Sequence, residues 1–235
     1  MFLIWSGPSG SGKTHKIQQI EGCRVEKFDT RGCLKTRFNI ISLSQYQKMI
    51  ISDTENFLKI QEEIMEERYR IFKRYMGETY EHERNRVVFD RGLFDNLVYL
   101  HDYNIRIQSK LSLIEHTNSR LQILHIMNNL LARAYNLIIK LNSVSYHFIC
   151  KPHPDNFKDG DSFRDISFED SLRLFNLYIY MADTHGISYQ ILERGNEDLE
   201  ILPEPTNEFM KIHDALRDEI DMRKDIERKR RFNIE

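Results

Sequence analysis

An octapeptide near the start of the chain has the residue types and the spacing of a phosphate-binding loop. It matches the pattern G-x-x-x-x-G-K-[ST] at every specified position, between an apolar segment and an amphipathic one. Glycines allow backbone N–H groups to converge on phosphate oxygens, and the helix that follows adds the positive end of its dipole. We therefore predict that a nucleoside triphosphate binds to Gly7, Pro8, Ser9, Gly10, Ser11, Gly12, Lys13 and Thr14.

The last two residues of this loop have side chains with separate predicted roles. The Lys13 ammonium would contact the β- and γ-phosphates, and the Thr14 hydroxyl would be a ligand of the Mg²⁺ that joins them. The loop thus predicts ATP and Mg²⁺ as cofactors, with GTP as the alternative donor.

A second motif, Val87-Val-Phe-Asp90-Arg91-Gly92, has an acidic residue at the end of an apolar segment. In open α/β sheets, ligands bind at the carboxyl ends of the strands. Asp90 would there bind Mg²⁺ or accept a proton from an attacking hydroxyl, and Arg91 would bind an anionic or polar substrate. The alternative is that Asp90 only caps the strand and that Arg91 is a surface residue.

Asp29 and Arg31 follow another predicted strand and are candidate substrate-binding residues at the same edge of the sheet. The Asp29 carboxylate would hydrogen-bond a sugar hydroxyl of the substrate or bind Mg²⁺. A turn cap is the alternative role for Asp29.

A loop over about residues 151–167 is rich in turn-forming residues and is predicted to be a mobile lid over the transferred phosphate. Arg164 is the candidate for stabilising charge in the transition state, because a guanidinium can bridge two phosphoryl oxygens. Lys158 and Arg173 are weaker candidates for this role. Solvated loop charges are the alternative.

The elements that must position these residues alternate between strands and helices. Short apolar segments predict strands over 2–5, 23–29, 86–90, 146–150 and 188–192. Apolar residues at helical spacing predict helices over 13–21, from a capping box at 52–55 onward, over 109–142 and over 168–185. This alternation predicts an α/β fold with a central five-stranded parallel sheet and helices on both faces.

The composition predicts one cytoplasmic domain over residues 1–235. Its 235 residues and 40% hydrophobic content suffice for a single core. The net charge of −2 argues against a surface built for nucleic acid or anionic membrane, and no apolar segment reaches the ~18 residues of a membrane span. The 3 cysteines form no C-x-x-C pair, which is typical of reduced thiols and disfavours a zinc site.

Two further regions are predicted within this domain. A helical insertion over about 99–144 has long helices that offer a surface for an oligomer. A helical, basic C-terminal tail over about 205–235 has six basic residues between Arg223 and Arg231. The tail is either a solvated helix or a contact to a nucleic-acid backbone.

Four segments together resemble the P-loop deoxynucleoside and thymidylate kinase group: the phosphate-binding loop, the helix around Gln61, and residues 87–95 and 159–165. More narrowly, residues 1–200 resemble compact nucleoside-kinase-like proteins that are common in phages and related to ribosylnicotinamide kinase domains. The resemblance implies the P-loop kinase fold and, for a phage-encoded chain, a location in the host cytoplasm. The chain departs from the deoxynucleoside kinases in having Asp90-Arg91-Gly92 where they have Glu-Arg-Ser.

The resemblance also implies roles for individual residues. Gln61 would recognise the base, and Arg164 would be the lid arginine. Asp90 would be the catalytic carboxylate, and Arg91 would bind the substrate. The implied activity is ATP-dependent transfer of the γ-phosphate to a hydroxyl of a nucleoside or nucleotide. Two alternatives stay open: a kinase for DNA or RNA ends or hydroxymethylated bases in DNA, and a regulatory P-loop ATPase that is not a kinase.

Overall fold

The computed structural model describes residues 2–8, 11–18, 20, 23–77, 86–111, 117–142, 144–157 and 167–193. Several sequence predictions lie outside these residues: Ser9 and Gly10 of the loop, Lys158 and Arg164 of the lid, and the basic tail over 205–235. The assignment of one domain to residues 1–235 therefore stays a prediction.

A sheet of five parallel strands runs through the described chain, as the sequence predicts. The strands are β1 (Phe2–Ser6), β2 (Cys23–Lys27), β3 (Arg86–Asp90), β4 (Ser145–Cys150) and β5 (Tyr189–Leu192). Their order in the sheet is β2-β3-β1-β4-β5, so that β1 lies in the centre with β3 and β4 on its two sides. All five residues of β1 are buried, which explains its continuous apolar sequence.

Helices connect these strands. They are α1 (Lys13–Gln18), α2 (Thr30–Phe38), α3 (Leu43–Ser52), α4 (Thr54–Gly77), α5 (Leu93–Gln108), α6 (Thr117–Asn142) and α7 (Phe168–His185), with a short 3₁₀ helix over Pro154–Phe157. Gly186 ends α7 in the left-handed conformation, with φ 62°, as the sequence predicts. No helix in the described ranges is both long and apolar enough to cross a membrane.

The two faces of the sheet have separate cores, because side chains alternate along β1. Phe2 and Ile4 belong to the larger core, which contains apolar residues of α2 to α7. Leu3 and Trp5 belong to a smaller core on the other face, with Ile17 of α1. Helices therefore cover both faces, and the α/β fold class is confirmed.

The structure differs from the sequence prediction at the end of the second strand and in the helix that follows it. This strand ends at Lys27 rather than at Asp29, and Asp29 is the N-cap of α2, where its carboxylate accepts a hydrogen bond from the Gly32 amide at 3.0 Å. The sequence analysis missed α2 as a helix, because Leu34 is its only residue described as buried and it has almost no apolar face.

The start of the long helix α4 also differs from the sequence prediction. Ser52 is the last residue of α3, and its hydroxyl donates to the Lys48 carbonyl, so it does not cap α4. The sequence analysis missed α3, which packs on α4 through Tyr46 and Ile50. The capping pattern at 52–55 thus correctly indicated that a helix begins there, although Ser52 belongs to the preceding helix and does not cap α4.

The helix predicted over 109–142 is wrong at its start. α5 continues to Gln108 and a turn follows at Ser109 and Lys110, whereas α6 begins at Thr117. Residues 99–108 of the predicted insertion therefore belong to α5, which begins at Leu93 directly after the β3 motif. This correction matters for the site, because α5 supplies several side chains to it.

Candidate functional site

The phosphate-binding loop leaves β1 through a turn that requires glycine at its first position. Gly7 has φ 133°, and a Cβ atom there would lie 2.8 Å from the carbonyl oxygen of Cys150 on β4. Gly12 also has a positive φ, 75°, directly before α1 begins. The glycines of the sequence pattern thus meet local backbone requirements that other residues satisfy only with strain.

Lys13 lies inside this loop. Its ammonium donates hydrogen bonds to the Gly7 carbonyl at 2.9 Å, the Pro8 carbonyl at 2.7 Å and the Ser11 hydroxyl at 3.0 Å. Burial, followed by repulsion from Arg91, lowers the pKa of Lys13 to about 7. A buried cation held among carbonyl oxygens is well placed to bind an anion that enters the loop.

The Thr14 hydroxyl and the Asp90 carboxylate are adjacent, as the predicted Mg²⁺ site requires. Thr14 Oγ1 donates to Asp90 Oδ2 at 3.2 Å. They meet because β3 pairs with β1, in a register that places Asp90 opposite Trp5. Asp90 is 7% exposed, and the Lys27 ammonium lies 4.0 Å from its Oδ2 atom. The Asp90 side chain therefore belongs to the loop region rather than to the protein surface.

Arg91 has an unusual backbone conformation that directs its side chain toward the loop. Its φ is 77°, a value rare for a residue with a Cβ atom, and its amide donates to the Trp5 carbonyl at 3.0 Å. The guanidinium Nη1 lies 3.3 Å from the Gly7 carbonyl, 3.3 Å from Asp95 Oδ1 and 3.4 Å from the Tyr99 hydroxyl. Strained backbone of this kind is concentrated at functional sites.

Asp95 is a central residue that the sequence analysis did not single out. It is fully buried, and its two carboxylate oxygens accept hydrogen bonds from Ser6 Oγ at 3.0 Å, the Gly92 amide at 2.9 Å and the Tyr178 hydroxyl at 2.7 Å. Burial alone would raise the pKa of this carboxyl, but Arg91 and Arg68 hold it below its usual range. Asp95 therefore stays ionised and fixes Arg91. Its position in the first turn of α5 was the available sequence signal.

A cavity of about 630 Å³ joins the loop to the region between α2, α3, α4 and α5. It brings together predicted site residues from separate parts of the sequence: Ser11, Gly12, Lys13, Thr14, Asp29, Arg31, Gln61, Asp90 and Arg91. Asn156 of the described lid residues also lines it. Arg173, a weaker candidate, is not among the lining residues and instead forms an ion pair with Asp102 at 2.6 Å.

Gln61 lies at the aromatic end of this cavity. It is 4% exposed, and its side-chain amide donates a hydrogen bond to the Tyr46 hydroxyl. The rings of Tyr46 and Tyr103 line this end, with their centroids 6.5 Å apart and their planes at 86° to each other. An end wall of aromatic rings with one oriented amide suits a planar polar ring such as a base.

Arg68 is a second lining residue that the sequence analysis missed. It lies seven residues after Gln61 on α4, so that both side chains lie on the same helix face together with Ile64. This spacing was the signal that could have found it. Asp29 and Arg31 line the same cavity from the start of α2, where Asp29 also has the capping role that the sequence left as an alternative.

A comparison with known families supports the nucleotide-binding interpretation of the loop. A family model described as AAA domain matches residues 2–199, which include every described residue of the cavity. No curated protein matches the chain.

Proposed function

We propose that this chain, which belongs to the AAA domain family of P-loop nucleotide-binding domains, is a kinase. The proposed reaction is the Mg²⁺-dependent transfer of the γ-phosphoryl group of ATP to a hydroxyl of a nucleoside or nucleotide. We call Lys13, Thr14 and Asp90 the donor side of the cavity. We call Gln61, Arg68, Arg91, Tyr46 and Tyr103 the acceptor side.

The observation that supports this proposal most is that both sides line one cavity. Its volume of about 630 Å³ lies within the range of small-molecule sites, roughly 300–1,000 Å³. Direct transfer of a phosphoryl group requires that donor and acceptor bind side by side. The aromatic end of the cavity offers space for an acceptor beside the loop, which a P-loop ATPase without an acceptor would not require.

The donor side fits Mg²⁺ by the chemistry of its oxygens. The Thr14 hydroxyl and the Asp90 carboxylate, 3.2 Å apart, are hard oxygen ligands of the kind that Mg²⁺ prefers. Within the described ranges, no group of three or more His, Cys, Asp or Glu residues is arranged to hold a metal. Magnesium at such sites usually takes one or two protein ligands and completes its shell with phosphates and water. When bound, it would neutralise charge on the phosphates.

Lys13 and the loop amides would hold the donor. The Lys13 ammonium would exchange its contacts with the Gly7 and Pro8 carbonyls for contacts with phosphate oxygens. An anion at this position favours the charged ammonium, so we expect binding to raise the pKa of Lys13 from about 7. The proton equilibrium of this residue is thereby coupled to nucleotide binding.

Asp90 and Arg91 would act at the acceptor hydroxyl. A bond forms between the acceptor oxygen and the γ-phosphorus as the bond to the bridging oxygen of ATP breaks, and ADP leaves. The hydroxyl proton must go to a base, for which Asp90 is the candidate, unless Asp90 serves only to hold Mg²⁺. Arg91, fixed by Asp95 at 3.3 Å, would stabilise negative charge on the transferred group.

A screen with labelled ATP tests this proposal. Nucleosides, nucleotides and DNA are offered to the full chain and to a variant that lacks residues 221–235. We expect transfer to at least one small acceptor, nearly unchanged by the deletion. Transfer to DNA alone, lost on deletion and at high salt, would show that the acceptor is a polymer. Hydrolysis of ATP without transfer to any acceptor would contradict the kinase proposal.

A further inference from the structure

Arg68 is a buried cation whose hydrogen-bond partners are all neutral. It is 6% exposed. Its Nη1 donates to Asn96 Oδ1 at 2.6 Å and lies 3.4 Å from the Gly92 carbonyl, and its Nη2 donates to Thr30 Oγ1 at 3.1 Å. Among the described residues, no carboxylate oxygen lies within 4.0 Å of the Arg68 guanidinium, the limit for an ion pair. The buried Nε atom of Arg68 has no hydrogen-bond acceptor.

Two other arginines that line the cavity differ from Arg68 in this respect. Arg91 pairs with Asp95 at 3.3 Å, and Arg106 pairs with Asp102 at 3.0 Å. An unpaired charge is costly to bury, because neutral groups replace only part of its hydration. Arg68 therefore occupies a position where a negative charge is favoured and where the described protein does not place one within contact distance.

Neighbouring charged residues add to the excess of positive charge around Arg68. Burial, the largest influence, lowers the pKa of Arg68, and the charge of Arg91 lowers it further. Asp95 opposes both effects, but the same carboxylate also has to balance Arg91 and Lys13. Asp95 thus interacts with three cations, of which Lys13 also interacts with the buried Asp90. An anionic ligand beside Arg68 and Arg91 would add negative charge where Arg68 has no carboxylate in contact.

We propose that Arg68 and Arg91 bind a phosphate group that the acceptor already carries, so that the acceptor is a nucleotide and not an uncharged nucleoside. This inference rests on the proposed function, which leaves both classes open. Two guanidinium groups suit a phosphomonoester dianion, because each presents a planar fork of donors to its oxygens. The Asn96 amide and the Thr30 hydroxyl would fix the orientation of Arg68, which makes them positioning residues.

Binding measurements on the full chain test this inference. The phosphate-binding loop is first saturated with a non-hydrolysable ATP analogue and Mg²⁺, so that the loop does not capture the probe. Nucleoside monophosphates with each common base, their parent nucleosides and inorganic phosphate are then titrated by calorimetry. We expect at least one monophosphate to bind roughly 10²-fold more tightly than its nucleoside. Equal affinity of every monophosphate and its nucleoside would overturn the inference.

Three variants locate the effect. Arg68→Gln keeps a polar side chain without the charge and should remove most of the preference for the monophosphate. Arg68→Lys keeps the charge without the fork and should retain part of it. The control is Arg133→Gln, because Arg133 lies on α6 and its guanidinium pairs with Glu62 and Glu66 at the surface. A preference that survives in folded Arg68→Gln would contradict the assignment to Arg68.

The outcomes separate this inference from the proposed function. Efficient phosphorylation of an uncharged nucleoside, equal in wild type and Arg68→Gln, would refute the nucleotide acceptor and leave the kinase intact. Absence of transfer to every acceptor would refute the kinase, while the calorimetric comparison would still decide what Arg68 binds. If Arg68→Gln does not fold, the affinities of wild type and of Arg68→Lys for monophosphates and nucleosides decide whether the acceptor is a nucleotide or a nucleoside.

Discussion

The donor side and the acceptor side of the cavity differ in how their residues are distributed along the chain. Lys13 and Thr14 follow the glycine-rich turn of a single loop, and Asp90 joins them through pairing of adjacent strands. The acceptor side combines side chains of α3, α4 and α5 with Arg91, which directly follows β3. The donor side is thus built on local backbone geometry, and the acceptor side on the packing of helices. We expect substitution of Lys13 or Asp90 to lower turnover, because both would act on the transferred phosphoryl group, and substitution of Gln61 to weaken binding of the acceptor.

The largest effect is expected from Lys13→Ala on the donor side. Lys13 is the described loop cation that would contact the phosphates, so turnover should fall roughly 10³-fold while the fold persists. The matched control is Lys16→Ala, because the Lys16 ammonium donates to the Glu193 carbonyl at the exposed surface. Kinetics and circular dichroism of both variants check the result. Turnover near the wild-type rate in folded Lys13→Ala would show that the loop does not bind the donor.

A somewhat smaller effect is expected from Asp90→Asn. If Asp90 acts as base or Mg²⁺ ligand, kcat should fall roughly 10²-fold while ATP affinity changes little. If Asp90 only stabilises the end of β3, the thermal midpoint should fall and turnover should stay unchanged. Steady-state kinetics and thermal melts of the same preparation distinguish these roles, and the second pattern would remove Asp90 from the catalytic residues.

On the acceptor side, Gln61→Leu should change affinity rather than turnover. The side chain is buried at the aromatic end of the cavity, so loss of its amide should raise the KM for the acceptor roughly tenfold and leave the KM for ATP unchanged. Gln190→Leu is the control, because Gln190 is exposed on β5. A parallel loss of ATP affinity would contradict the separation into two sides.

The smallest effect at neutral pH is expected from the buried His147 of β4, whose Nδ1 atom lies 3.4 Å from Ser6 Oγ. Burial lowers the pKa of His147 from 6.5 to about 4. Between these values the unfolded chain binds a proton that the folded chain does not, so stability should fall as pH falls from 6.5 to 4. The loss is about 3 kcal/mol for this residue. Denaturant unfolding of wild type and His147→Gln checks this, and equal pH slopes in both proteins would refute it.

The sequence by itself determined the donor side and the sheet that positions it. Gly7 has φ 133° and packs against β4, so few other residues can replace it. This backbone requirement can be recognised in the sequence as a pattern of residue types. The position of Asp90 was also predictable, because a carboxylate at the end of an apolar parallel strand lies at the carboxyl ends of the strands, where ligands bind. These features depend on local backbone geometry and on strand pairing, which short sequence patterns encode.

The tertiary structure decided the acceptor side. Asp95 receives a hydrogen bond from Tyr178, 83 residues away, and Arg68 reaches Thr30 and Asn96, 38 and 28 residues away. Residues 99–108 of α5 were assigned to a predicted insertion, although they continue the helix that begins at Leu93. Contacts between distant helices depend on how whole helix faces pack. The local signals of Asp95, in the first turn of α5, and of Arg68, seven residues after Gln61, do not identify the partners of these side chains. For this reason the balance of positive and negative charges in the cavity could be determined only from the tertiary structure.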